Sequence, residues 1–143
     1  MLAAAVGAEV LGIDIAPRAV ERAVELGLPA RFVVADALAL PALGETFDVV
    51  IDSGAFHVFD DAQRPAYVAG LAAVTHPGSH LYLLCFSDQT PGEFGPRRVS
   101  REELHDAFSG GWGVEAIEPS SFELPPGNPV SEARAWLVTI RRL

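Results

Sequence analysis

Three aspartates stand where short apolar runs finish. Asp14 closes a run that begins at Glu9, Asp36 follows Arg31-Phe-Val-Val-Ala35, and Asp52 follows Phe47-Asp-Val-Val-Ile51. Carboxylates offer acceptor oxygens and no donor, and gathered on one rim they repel unless donors or water reach them. A ligand carrying hydroxyl and amino groups would resolve that arrangement. Beyond Asp52 lie Ser53, Gly54 and His57. An imidazole titrates near neutrality, so His57 is a candidate to deprotonate or orient an incoming thiol or hydroxyl. Its neighbours Phe56, Val58 and Phe59 leave open a packed histidine with one nitrogen satisfied. Cys85 is the single cysteine, which excludes an internal disulfide and a multi-cysteine metal site. Flanked by Leu83, Leu84 and Phe86, it reads as a buried strand thiol, and no metal site is expected.

The elements that must position these groups alternate in type. Glu9–Ile15 reads as a strand and Pro17–Leu26 as a helix with Val20, Ala23 and Val24 on one face, ended by Gly27. Arg31–Ala35 and Phe47–Ile51 are β-branched and aromatic strands. Asp60-Asp61 is expected to cap a helix turning Val68, Leu71 and Ala72 inward, with Pro65 in its first turn. His76-Pro77-Gly78 predicts a turn before a central strand, Leu81–Phe86. Residues 87–98 predict a loop at that strand's carboxyl end, and Ser100-Arg-Glu-Glu103 has capping-box spacing for a helix reaching Phe108. Val114–Ile117 and Ala135–Ile140 are expected to pair as an antiparallel hairpin across a long connection, Pro119–Glu132. Such alternation defines an α/β fold, in which ligands bind outside the carboxyl ends of the strands. Phe94, Arg97, Arg98 and Phe122 are candidates to close a pocket there, or simply to anchor loops and meet solvent.

The whole chain, residues 1–143, is one domain's worth of sequence. Ten Lys and Arg against 19 Asp and Glu give a net charge of −9, which disfavours nucleic acid as a partner and favours a small-molecule substrate. Charged residues and prolines interrupt every apolar run, so no membrane span is expected. The start lacks a basic region and its apolar stretch stops at Glu9, so the reading is a cytoplasmic protein, monomeric or homodimeric.

Val10-Leu-Gly-Ile-Asp-Ile-Ala-Pro17, Val34-Ala-Asp-Ala37, Phe47-Asp-Val-Val-Ile-Asp52 and Thr75-His-Pro-Gly78 are similar, in order and spacing, to successive motifs of class I S-adenosylmethionine-dependent methyltransferases. Asp52-Ser-Gly-Ala-Phe-His57 with Leu81–Asp88 resembles the small-molecule branch related to thiopurine methyltransferases. The resemblance implies a Rossmann-like, doubly wound, mostly parallel sheet and S-adenosylmethionine as cofactor. It implies that Asp14 accepts from the ribose hydroxyls and Asp36 from the adenine amino group. Ala37 would offer its N–H to the ring, with Ile15 or Leu38 against the ring face. Asp52, Ser53 and Gly54 would lie at the methionine end, where Asp52 and His57 are the candidate catalytic residues. Family members carry a strand and a glycine-rich loop ahead of the residues equivalent to Met1, and Met1–Val6 resembles the helix that follows that loop. The expectation is therefore a partial methyltransferase domain whose sheet opens between the Val10 and Phe47 strands, with impaired activity. Two other readings are a nicotinamide-dependent oxidoreductase, with Asp14 on that cofactor's ribose, and a non-catalytic remnant acting as an interaction module.

Overall fold

The computed structural model describes residues 7–92, 94–124, 126–128 and 130–143, so the helix expected over Met1–Val6 lies outside the described residues. Strands β1 (Leu11–Asp14) and β2 (Arg31–Val34) pair in parallel around helix α1 (Pro17–Glu25). Pro17 stands in the first turn, where a missing N–H is harmless, and Gly27 takes the left-handed conformation (φ 63°) just past the helix end. Gly12 admits the Phe32 ring across β1, since a Cβ there would fall 2.5 Å from Phe32 Cδ1.

Four further strands form a second sheet in the order β3 (Phe47–Ser53), β4 (Thr75–Phe86), β6 (Glu132–Arg142), β5 (Trp112–Glu123). β3 and β4 are parallel, and β6 runs antiparallel to both β4 and β5. As expected, β4 is central and the chain ends in an antiparallel hairpin. Two boundaries differ from the sequence reading. β4 begins at Thr75, because His76-Pro77-Gly78 forms a bulge inside it: the register passes from Phe47↔Thr75 to Val49↔His80, and Gly78 sits at φ 94°. Pro119–Glu123, expected in the connection, belongs to β5. That strand lies at the sheet edge and pairs on one side only, so the N–H that proline lacks is not needed.

Helices α2 (Arg64–Ala73) and α3 (Arg101–Ala107) cover one face of this sheet, packing Leu71, Leu104 and the following Phe108 onto Leu81, Leu83, Cys85, Val138 and Ile140. The expected capping box is present: the Ser100 hydroxyl accepts from Glu103 N–H and the Glu103 carboxylate accepts from Ser100 N–H. Burial pushes the Cys85 thiol up to about 12, as befits an inert core residue. The opposite face leaves Val49, Ile51, Tyr82 and Leu137 exposed.

Among the described residues β1 and β3 do not pair. Instead a cleft of about 1020 Å³ separates the two sheets, lined by Val10, Leu11, Arg31, Phe47 and Val49. The interruption falls where the resemblance places a further strand. Unpaired strand edges exchange their amide protons readily. Hydrogen–deuterium exchange followed by mass spectrometry should find β4 and β6 the slowest segments and β1 among the fastest strands. Equal protection of β1 and β4 would contradict the open edge.

Candidate active site

The floor of the site is built by Asp52. Its residue is 4% exposed, and it lies on the face of β3 that the helices cover. Oδ1 accepts from Ala55 N–H at 2.7 Å, and Oδ2 accepts from Phe56 N–H at 3.0 Å and from the Tyr67 hydroxyl at 2.9 Å. Gly54 supplies the sharp bend at φ 93°, and a single 3₁₀ turn, Phe56–Val58, follows. Burial pushes the Asp52 carboxyl upward while the N–H donors of Ala55 and Phe56 and the Tyr67 hydroxyl work against it; burial prevails. Burial and the adjacent carboxylate raise the Tyr67 hydroxyl well above its ordinary range. Both oxygens of Asp52, a residue expected at the site from the sequence, are thus engaged by donors inside the protein. Ser53, one residue on, is exposed.

The turn that Asp52 holds presents His57. Its Nδ1 accepts from the Phe86 N–H at 2.9 Å, joining the carboxyl ends of β3 and β4. The ring lies edge-on to Phe86 at 5.0 Å and tilted against Phe122 at 5.7 Å, with those two phenyl rings 5.3 Å apart. Burial, then the positive charges of Arg64 and Arg98, lower its pKa to about 4. The imidazole is therefore neutral at pH 7 and carries its proton on Nε2. Of the two roles expected for His57, deprotonating or orienting an acceptor, this arrangement suits the second, since the Nδ1 lone pair is engaged by the Phe86 N–H and a hydrogen-bearing Nε2 has none to offer. The other histidines stand elsewhere: His76 pairs with Asp48, His80 with Glu115, and His105 is exposed on α3.

The 87–98 segment is shaped by Arg98, whose guanidinium donates to the carbonyl oxygens of Thr90, Gly92, Phe94 and Pro96 and lies over the Phe86 and Phe94 rings. Arg97 bridges Asp61 and Glu103, and Arg64 also reaches Glu103 at 3.2 Å. Burial would raise the Glu103 carboxyl, but the Ser100 N–H and these two guanidinium groups outweigh it and hold it below its ordinary value. The sequence reading treated Arg98 as a solvated or pocket-closing residue; it is the loop's filler.

Asp14 and Asp36 share the rim of the first sheet. Asp14 ends β1 opposite Val34, and Asp36 follows β2 by two residues. Each spends one oxygen on a local turn, Asp14 on Ala16 N–H and Asp36 on Leu38 N–H, both at 2.8 Å. The second oxygen of each makes no hydrogen bond among the described residues. Ile15, 67% exposed, lies beside Asp14, while Ala37 and Leu38 are half-buried beside Asp36. The structure thus brings two of the three carboxylates to the rim and turns the third, Asp52, inward.

The model of a family described as methyltransferase domain matches residues 1–78, more than half of the chain. The chain belongs to the methyltransferase-domain family. A demethylmenaquinone methyltransferase from Thermus thermophilus is 37% identical over 129 residues, covering 84% of this chain and 58% of that protein. A solved structure from work on conversion of a disulfide bond into a thioacetal group during echinomycin biosynthesis superposes with a TM-score of 0.79 at 32% identity. It covers 97% of this methyltransferase-domain chain and 68% of its own. A SAM-dependent methyltransferase from Methanosarcina mazei shares the fold, with a TM-score of 0.80 at 19% identity and coverage of 98% and 84%. The chain spans 58% and 53% of the length of two curated relatives it matches.

Removing the Asp52 carboxylate strands three buried donors, each costing about 1–3 kcal/mol. Asp52→Ala should therefore lower unfolding free energy by about 3 kcal/mol or more, and Tyr67→Phe by about 1 kcal/mol, in urea titrations. The raised pKa of Asp52 makes its contribution fall as pH climbs from the ordinary carboxylate range through the folded value. Relative to Asp52→Asn, the native chain should lose stability across that interval and level off above it.

Proposed function

We propose that this chain binds S-adenosylmethionine at the carboxyl ends of β1 to β4 and supports transfer of its methyl group to a small-molecule nucleophile. The observation that carries the reading is the shared rim of Asp14 and Asp36, each with one oxygen to spare beside the exposed Ile15. The donor set fits an adenosyl group. Asp14 would take the ribose hydroxyls and Asp36 the adenine amino group, with the first-turn N–H of Ala37 on a ring nitrogen. Ile15 and Leu38 would cover the ring and remove apolar surface from water. Ser53 and Gly54 would border the methionine end, Gly54 allowing close approach because it has no side chain. Asp52 serves by holding their turn.

When bound, the sulfonium cofactor supplies a methyl group that is electrophilic without an acid or a base. The protein's part is alignment and exclusion of water, for which the Arg98-filled loop and Phe122 are placed beside His57. The net charge of −9 supports a partner other than nucleic acid. The proposed setting is cytoplasmic; among the described residues no helix is long and apolar enough to cross a membrane.

The open β1 and β3 edges favour a second reading, in which a strand from another copy or chain completes the sheet. Size-exclusion chromatography with light scattering separates the two: a stable dimer supports completion in trans, and a cooperatively unfolding monomer opposes it. For the cofactor itself, calorimetry with S-adenosylhomocysteine is expected to show weak binding, because the open edges adjoin the rim. Asp14→Asn should weaken it further by about tenfold, the loss of a charge-assisted hydrogen bond. Competition by NAD at similar concentrations would turn the assignment toward the nicotinamide reading.

A further inference from the structure

We propose that His57 positions the methyl acceptor as a fixed Nε2–H donor, and that the acceptor is a small molecule presenting an ionised hydroxyl or thiol to it. The inference rests on the methyl-transfer reading and deepens it. The argument starts from the Phe86 amide, whose N–H must find an acceptor at the end of β4 and finds His57 Nδ1 at 2.9 Å. That amide cannot swing away, because the Phe86 carbonyl accepts from Val99 N–H at 2.9 Å and the strand is held by β6 through Ala135. With Nδ1 an acceptor, the neutral ring has its hydrogen on Nε2 and no freedom to exchange roles.

Nε2 makes no hydrogen bond among the described residues, and it is not among their fully buried unpartnered atoms. It faces Gly54: a Cβ built there would lie 3.4 Å from Nε2 and 3.8 Å from the edge of Phe122. A donor, an aromatic edge and a residue without a side chain therefore converge where the turn leaves β3, the strand end assigned above to the methionine portion of the cofactor. The groups around the imidazole are Gly54 from the turn after β3, Phe86 from β4 and Phe122 from β5, all uncharged, with Arg64 from α2 and Arg98 from the 87–98 loop. Arg98 is spent on four carbonyls. Arg64 donates from Nη1 to Glu103 and lies over the Phe56 ring; its Nε and Nη2 have no partner but are buried inside the protein, so neither arginine presents a free donor at the surface. Their positive field nevertheless favours a negative group at the Nε2–H donor.

The transfer balances without a protein base. The acceptor gives its proton to water before it binds. Its oxygen or sulfur then forms the bond to the methyl carbon as the carbon–sulfur bond of the sulfonium breaks, and the departing sulfur keeps the electron pair. Nε2–H meets a second lone pair of the acceptor and fixes its direction of approach.

The test uses the full chain with 4-nitrophenolate and 4-nitrothiophenolate as probes and nitrobenzene as the uncharged control. In ¹⁵N spectra His57 should show an acceptor-type Nδ1 and a hydrogen-bearing Nε2 that do not titrate between about pH 6 and 9. Either anion should shift Nε2 alone, the arm with the larger effect distinguishing oxygen from sulfur acceptors, and nitrobenzene should not. His57→Ala should weaken probe binding by about tenfold. His57→Gln, which can place a donor near the Nε2 position, should recover most of that loss. His57→Asn, which mimics Nδ1 and can satisfy the Phe86 N–H, should restore stability without restoring binding. A purely structural histidine would show the reverse, with Asn restoring everything, and a titrating Nε2 or an inflection in the pH–rate profile that vanishes in His57→Gln would restore the base. Any of these overturns the proposal. The imidazole signals decide it independently of the cofactor: failure of S-adenosylhomocysteine to bind would count against the methyl-transfer reading instead.

Discussion

A buried carboxylate is tolerated only when donors surround it, and around Asp52 there are three: two backbone N–H groups of the turn that follows β3 and the hydroxyl of Tyr67 on α2. That single requirement sets the path of residues 52–58, ties the sheet to the helix layer, and aims the imidazole of His57 at the end of β4. Position follows from desolvation. Were the carboxylate turned to solvent, the turn would have no reason to bend at Gly54, and the Phe86 N–H would lose its acceptor.

Much of this was legible in the sequence where the governing chemistry is local. The apolar runs, the Ser100–Glu103 capping box, the glycine stop after α1 and the central place of β4 all follow from neighbouring residues, and all are present. What escaped is set by parity and by distance along the chain. In β3 one alternating set holds Phe47, Val49 and Ile51 and the other Asp48, Val50 and Asp52, so residue type alone points the first set inward, against the burial of Val50 and Asp52. Asp52 went to the helix side and Ile51 to the open side. The partner of His57 lies 29 residues away and is a main-chain amide, which leaves no mark in the residue types. Arg98 escaped for the same reason, since its partners are carbonyl oxygens.

The protein divides unevenly in its packing. No residue of β1, α1 or β2 is fully buried, whereas the second sheet and its two helices hold nearly all of the core. The acids proposed to face an adenosyl group thus sit on the lightly packed part, and the histidine proposed to face the acceptor on the densely packed part. Cofactor grip and acceptor geometry draw on different structural reserves, so a substitution that loosens the first sheet would disturb one more than the other.

Apart from the Phe86 and Phe94 rings, the cage around Arg98 is made of main-chain carbonyls. Its guanidinium is bound to oxygen atoms that every residue possesses, so those bonds do not depend on the identity of loop residues such as Asp88, Gln89 and Pro91, which form no part of the cage. A pocket wall made this way can be rewritten residue by residue while its backbone stays in place. One arginine thereby separates the loop's outward chemistry from the maintenance of its shape.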